Sequence, residues 1–291
     1  MIAYNPKDWV SFVFRFHKAD TFRKLIPLIL VISLYSWGVA WLELEYWKLS
    51  ETSHVKNIPI MHGLVGFVIS LLLVFRTNTA YDRWWEGRKH WGSLVNNSRN
   101  LAIKIKALFP EDKETHDFFR IAIPAYAFGL MRHLRSQLPM RETEDGMNHI
   151  WNHLSTDKHV PNQIAGMMIN KTAELRRAQK LTDEQWLILN GELSSFTDIC
   201  GACERIKNTP IPFSYSIFLK KFIFFYVMTL PFGYVFSLGY YTVPVVAFIF
   251  YILASLELIA EEIEDPFGGD ANDLPTEQIS ANIQKHVGEI L

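Results

Sequence analysis

Three stretches of the chain carry almost no charge, and polar and apolar residues alternate at helical spacing between them. Residues 25–42, LIPLILVISLYSWGVAWL, are 18 uncharged residues behind Arg23 and Lys24. Residues 58–75, IPIMHGLVGFVISLLLVF, are 18 more and end at Arg76. At 1.5 Å per residue such a run rises about 27 Å as a helix, close to the ~30 Å of a bilayer's hydrocarbon core. The third stretch, 211–256, holds 35 consecutive uncharged residues from Phe222 to Leu256, too many for one crossing and enough for two. Its natural break is LGYYTVP at 238–244, a Gly/Pro turn with tyrosines suited to the membrane interface. The pattern predicts four transmembrane helices. In the central stretch Gly63, Gly66 and Ser70 recur at spacings of three and four, along a side where helix backbones can approach closely. Ile60, Leu64 and Val68 form an apolar row at i, i+4, i+8 on a second face, and His62 sits near one end.

The rest of the chain is mixed. Residues 1–20 crowd Trp9, Phe12 and Phe14 beside Arg15, His17 and Lys18, which suits a segment lying at the interface and lacks the features of a removable signal peptide. Glu43, Glu45, Lys48, Glu51, His54 and Lys56 make a short connection of both signs. Arg76, Arg83, Arg88, Lys89, Arg99, Lys104 and Lys106 follow the second span, and Arg15, Lys18, Arg23 and Lys24 precede the first. This basic bias places both termini and the middle region in the cytoplasm. That region, 76–209, reads as helices: Trp91, Leu94, Val95 and Ser98, then Leu101, Ile105 and Leu108, repeat at helical spacing up to Pro110, and Asp112 restarts the pattern. Residues 139–160 are polar and irregular. Helices over 161–179 and 182–206 come next, the second with Thr182 as N-cap and Gln185 three residues on. The expected organisation is an interfacial segment with two spans over 1–75, a cytosolic helical domain over 76–209, two spans over 210–260 and a cytosolic C-terminal segment over 261–291.

Composition adds limits. Across 291 residues, 49 % are apolar and 20 % charged, which fits a protein part membrane and part soluble. A net charge of −1 argues against a general nucleic-acid partner. Cys200 and Cys203 form one CxxC with no second pair and no thioredoxin-like βαβ pattern, so they read as small helix residues. His149 and His153 have the spacing of a metal half-site but no third ligand nearby, which favours a solvated face. No phosphate-cradling glycine motif, nucleophile elbow or HExxH occurs, and nothing in the sequence proposes an enzyme. Asp82, Arg83, Trp84, Trp85, Glu86, Arg88 and Lys89 read mainly as an interfacial aromatic belt with basic flanks. At 261–273, EEIEDPFGGDAND, Pro266, Gly268 and Gly269 make a tight turn among carboxylates, either an acidic surface turn or a site for a hard cation.

Three of these segments together resemble the bestrophin family in its bacterial branch. FRTNTAYDRWWEGRKHW, from Phe75, is similar to the segment closing the family's pore helix. CGACERIKNTPIPFSY, from Cys200, resembles the signature entering the third span, and DPFGGDANDL, from Asp265, the turn after the last span. The motifs occur in family order over nearly the whole chain. The resemblance implies an all-α membrane protein that assembles as a homopentameric ion channel in the bacterial inner membrane, with lipid and permeant monovalent ions as its other partners. Closed cyclic symmetry suits a chain whose four helices cannot enclose a pore alone. Counting back from Arg76 as in the family puts the pore neck at Ile60, Leu64 and Val68. A shifted register would put His62, Gly66 and Ser70 there, and the apolar row is preferred because rings that gate by dewetting need apolar side chains. A cytosolic constriction falls at Leu181. A divalent cation such as calcium at the post-membrane turn would take Asp270 and Asp273 side chains with carbonyls of Glu262 and Asp265. Bacterial relatives imply cations such as sodium over chloride, and the acidic run 257–273 points the same way; chloride conduction is the alternative. A carrier or a scaffold for a cytosolic partner is the competing class, disfavoured by the lack of an internal repeat and of a polar midplane site.

Overall fold

A computed structural model describes residues 21–48, 57–137 and 148–291, with 148 and 149 described by backbone alone. The expectations for residues 1–20, for most of the outer connection, for the stretch 138–147 and for the His149 side chain lie outside the described residues. Within them the protein is helical, with no strand.

Helix α1, Thr21–Trp41, runs on into a π-helical turn, Leu42–Tyr46. It begins earlier than its apolar run, so Pro27 lies near the end of its second turn rather than in the first. Helix α2, Ile58–Leu108, is 51 residues long with Pro59 in its first turn. At 1.5 Å per residue it extends about 77 Å, more than twice the hydrocarbon core, so it must leave the bilayer and continue beyond it. The sequence pattern ended the central span at Arg76, and the helix passes that point unbroken. Thr77 and Thr79 return their hydroxyls to the carbonyls of Leu73 and Phe75, both at 2.9 Å, so neither offers the backbone another partner. The helix stops at Phe109, before Pro110.

Helix α3, Lys113–Leu134, starts under an Asp112 cap that accepts from the Thr115 N–H at 3.1 Å. Lys180, donating to the same carboxylate, is the main reason Asp112 is held down at about 2. A short α4, Asn148–Trp151, precedes α5, Val160–Arg177. Helix α6, Asp183–Asn208, opens on the capping box expected from Thr182 and Gln185, with both reciprocal bonds made. Helices α7, Phe213–Leu238, and α8, Thr242–Glu264, are joined by a three-residue 3₁₀ turn in which Gly239 takes φ 54°. They are antiparallel: Lys220 pairs with Glu261, and the Ile211 N–H donates to Glu264. The C-terminal helix α9, Thr276–Ile290, was not expected, yet Ile279, Ile283, Val287 and Ile290 carry its inward stripe.

The packing falls into two apolar clusters strung along α2. One gathers Ile32, Ile69, Leu73, Leu219, Val227, Leu230 and Val246 from α1, upper α2, α7 and α8. The other gathers Trp91, Leu101, Phe119, Tyr126, Ile164 and Phe196 from lower α2, α3, α5 and α6, with α9 closing one side. Thr21 donates to Ser255 at 2.9 Å and Tyr35 to the Met228 carbonyl at 2.9 Å, tying α1 to α8 and α7. Cys200 and Cys203 are unpaired and buried in the second cluster, where burial pushes both thiols up to about 12. They are small packing residues. Among the described residues, three stretches are long and apolar enough to cross a membrane, Thr21–Tyr46, Ile58–Leu108 and Phe213–Glu264, the last being the α7–α8 pair.

Candidate pore face and its supports

The membrane half of α2 has two unlike faces. His62, Ile69, Leu73, Arg76 and Ala80 form the buried one. Here His62 Nε2 lies 2.9 Å from Thr229 Oγ1, with its ring against Tyr226 and Tyr234 of α7. Gly66 leaves room for Tyr226, whose Oη would lie 2.8 Å from a Cβ at that position. Gly233 of α7 does the same for Pro59, with Cδ 2.8 Å from its Cβ position. Gly63 meets nothing within 4 Å, and Ser70 is exposed with its hydroxyl returned to the Gly66 carbonyl. So of the small residues expected to line one close helix contact, only Gly66 does so within the chain.

The opposite face is bare. Ile60 is 70 % exposed, Leu64 65 % and Val68 44 %, and Phe67 and Leu71 flank them. The alternative row is partly occupied inside the chain, since His62 is buried and Gly66 faces Tyr226. The helix carries the apolar row's direction past Arg76 into its second half: 18 residues make five full turns, so Asp82 stands in line with Leu64. Asp82 is exposed, as is Lys89 two turns further on.

Where the helices leave the apolar cluster, charged residues lock them. Arg76 is only 1 % exposed; its Nη2 lies 2.7 Å from Glu264 Oε2 and its Nε 3.5 Å from Glu257 Oε2. Arg83, two turns on, donates to the carbonyls of Glu264, Ile206 and Thr209. Two arginines of one helix thereby hold the end of α8 and the end of α6. Lys24 pairs with Glu262 and Lys220 with Glu261. The four glutamates of the acidic run are thus ion-paired within the chain. Their partners lie far away in sequence or on another helix.

Leu181 is not placed to form a constriction. It is 5 % exposed and packed in its own chain's second apolar cluster, whereas a pore ring requires a side chain that projects from the subunit. The exposed large apolar residues around the second cluster include Ile103, Leu187 and Ile188.

The turn after α8 brings the four expected cation residues together unevenly. Asp273 is 2 % exposed; its Oδ2 accepts from the Asp270 N–H at 2.6 Å, and its Oδ1 has no hydrogen-bond partner. Burial pushes this carboxyl up to about 6, and the charges of Asp270, Asp265 and Glu262 add to the effect, against the stabilising Asp270 N–H. The Glu262 carboxylate is already taken by Lys24 and by the Asn272 amide at 2.7 Å. Asp265 and Asp270 are exposed. Trp84 of α2 donates to the Asn272 carbonyl at 3.0 Å and so fixes the turn against the helix. An orphaned buried carboxylate oxygen among like charges fits a hard cation. Asp273 and Asp270 would hold it through carboxylates, and Asp265 and Glu262 through their carbonyls.

These features describe a helical membrane protein with a long spine helix, and the comparisons with known proteins say which kind. The pattern that defines the family described as "Bacterial/Fungal Bestrophin protein" matches residues 1–289. A protein of Nostoc sp. is 37 % identical over 244 residues, covering 80 % of each chain. One of Synechocystis sp. is 34 % identical over 298 residues, covering 99 % of this chain and 93 % of its own. Both are named voltage-dependent anion channel-forming proteins. A crystal structure of a bacterial bestrophin homologue from Klebsiella pneumoniae superposes with a TM-score of 0.80 at 28 % identity, covering 91 % of this chain and 98 % of its own. The chain belongs to the bacterial and fungal bestrophin family. It is an all-helical membrane protein of an ion-channel family.

Proposed function

We propose that five copies of this chain form a passive channel for small monovalent ions, with α2 lining the pore and Ile60, Leu64 and Val68 forming its neck. The bare apolar face of α2 carries this reading. An 18-residue membrane segment exposing Ile60, Leu64, Phe67, Val68 and Leu71 on one face needs either lipid or copies of itself to cover it. A narrow ring of such side chains conducts only when wetted, which makes it a barrier set by bulk and apolarity. Ile103, Leu187 and Ile188 extend bare apolar surface into the cytosolic half, where lipid cannot cover it and neighbouring subunits can. Four spans with both termini in the cytoplasm follow if α1, α2, α7 and α8 each cross once, in the inner membrane of a bacterium.

Aliphatic rings have little preference for the sign of an ion, so selection falls to charged rings near the neck. Asp82 shares the helix direction of Leu64 and is exposed, and five such carboxylates would favour cations such as sodium over chloride. Lys89 is the basic counterpart on the same side, further from the neck. A second reading, anion conduction, is favoured by the names of the Nostoc and Synechocystis relatives and by the internal pairing of Glu257, Glu261, Glu262 and Glu264. Reversal potentials under a sodium chloride gradient test the choice. A shift toward the sodium equilibrium potential, reduced in Asp82→Asn, is expected; a shift toward the chloride potential establishes the second reading. A calcium or similar cation at Asp273, Asp270 and the carbonyls of Asp265 and Glu262 is part of this proposal, with Lys24 already offsetting one edge of the turn.

A further inference from the structure

Among the described residues, one group of three side chains has metal-ligand chemistry and mutual reach: His133, His159 and Glu204. They come from three different helical elements. His133 is in the last turn of α3, His159 is the N-cap of α5, and Glu204 is in the last two turns of α6. Both imidazole Nε2 atoms face the same carboxylate oxygen, at 2.6 Å from His133 and 2.7 Å from His159, and the two rings are 4.3 Å apart. Each side chain is about 30 % exposed, so an ion could reach the group from solvent.

We propose that His133, His159 and Glu204 form a binding site for a divalent transition ion of the zinc type, which would staple α3, α5 and α6 together. Two imidazole nitrogens and one carboxylate oxygen are a three-ligand set that leaves a fourth position to water. The pair of hydrogen bonds holds the ligand atoms close to where such an ion needs them. Bonds of about 2.0–2.1 Å in tetrahedral geometry put ligand atoms about 3.3 Å apart, so the carboxylate and rings must separate by roughly 0.6 Å. Hard cations that demand six or more oxygens are not served by this group. In the ion-free group burial disfavours the Glu204 carboxylate, but the hydrogen bonds from His159 and His133 outweigh it and hold its pKa below the ordinary value.

The site has one internal cost. His159 Nδ1 accepts from the Asn162 N–H at 3.1 Å, which sets its proton on Nε2. An ion at Nε2 displaces that proton, and the neutral ring then carries one on Nδ1, where it can no longer cap α5. Loading the site therefore releases the Asn162 N–H.

The test uses the purified full-length protein in detergent, stripped with a chelator and titrated calorimetrically with zinc. One zinc per chain is expected. Binding should weaken roughly tenfold or more in both His133→Asn and His159→Asn, each checked for wild-type elution as an oligomer. Excess calcium should not compete. Absence of stoichiometric binding, or wild-type affinity in either variant, overturns the site. A zinc-dependent speeding of amide exchange at the first turn of α5 is expected, and protection there would overturn His159 as a ligand.

Discussion

Replacing Arg76 with Met should be among the most damaging single changes in the protein. The guanidinium is 1 % exposed between α2 and α8. At 3.5 Å from Glu257, with an effective dielectric constant near 20, the attraction is about 5 kcal/mol, and the 2.7 Å contact with Glu264 adds a second term of similar size. Desolvation offsets much of that gain, so the pair contributes little net stability; removing one partner is different. It leaves Glu257, 4 % exposed, as a buried charge whose carboxylate oxygens have no hydrogen-bond donor. Breaking such a pair costs about 3–5 kcal/mol. For a chain of this size that corresponds to a fall on the order of 10 °C in melting temperature. Arg76→Met combined with Glu257→Gln removes the stranded charge and should recover about half the loss or more. The assay is thermal loss of the oligomer peak on gel filtration. The reasoning fails if Arg76→Met melts with the wild type, or if the double variant is no more stable than the single one.

Gly233→Ala should destabilise by about 1–3 kcal/mol despite the better helix propensity of Ala, because the new Cβ would meet the rigid Pro59 ring at 2.8 Å; a higher melting temperature would contradict the α2–α7 contact. The Asp273 carboxyl sits at about 6 against an ordinary value of 3.8, so the folded protein holds a proton there that the unfolded chain releases. Stability from this group is present below about pH 4 and is lost as pH rises to about 6. Asp273→Asn should therefore gain stability relative to the wild type between those values, and calcium should stabilise only the wild type at pH 7. Melting curves at several pH values, with and without calcium, check both.

The apolar runs announced the membrane helices because burial in lipid needs little beyond length and the absence of charge. Thr182 and Gln185 announced the start of α6 because a capping box is local chemistry. The continuity of α2 was hidden by Arg76, whose charge marks where a bilayer ends but not where a helix ends. Helix α9 is not legible in the sequence because its stripe of Ile279, Ile283 and Val287 lies in a polar segment and is explained by the α3 and α2 surfaces it covers. The acidic run 257–273 looked like an unopposed field because Lys24 and Arg76, its partners, come from the other end of the chain. Leu181 shows the same limit from the other side: whether a side chain faces a pore or its own core depends on helix packing, not on spacing. Glu204 lies 71 residues from His133 and 45 from His159 along the chain, beyond the reach of any local motif.

The central claim is that the bare apolar face of α2 lines an ion pore, and unitary currents from purified protein in planar bilayers address it most directly. The wild type should give discrete current steps, and Leu64→Ala and Val68→Ala should raise their amplitude, since a smaller ring is wider and easier to wet. Intact oligomers without steps, or steps of unchanged amplitude in both variants, would contradict the account.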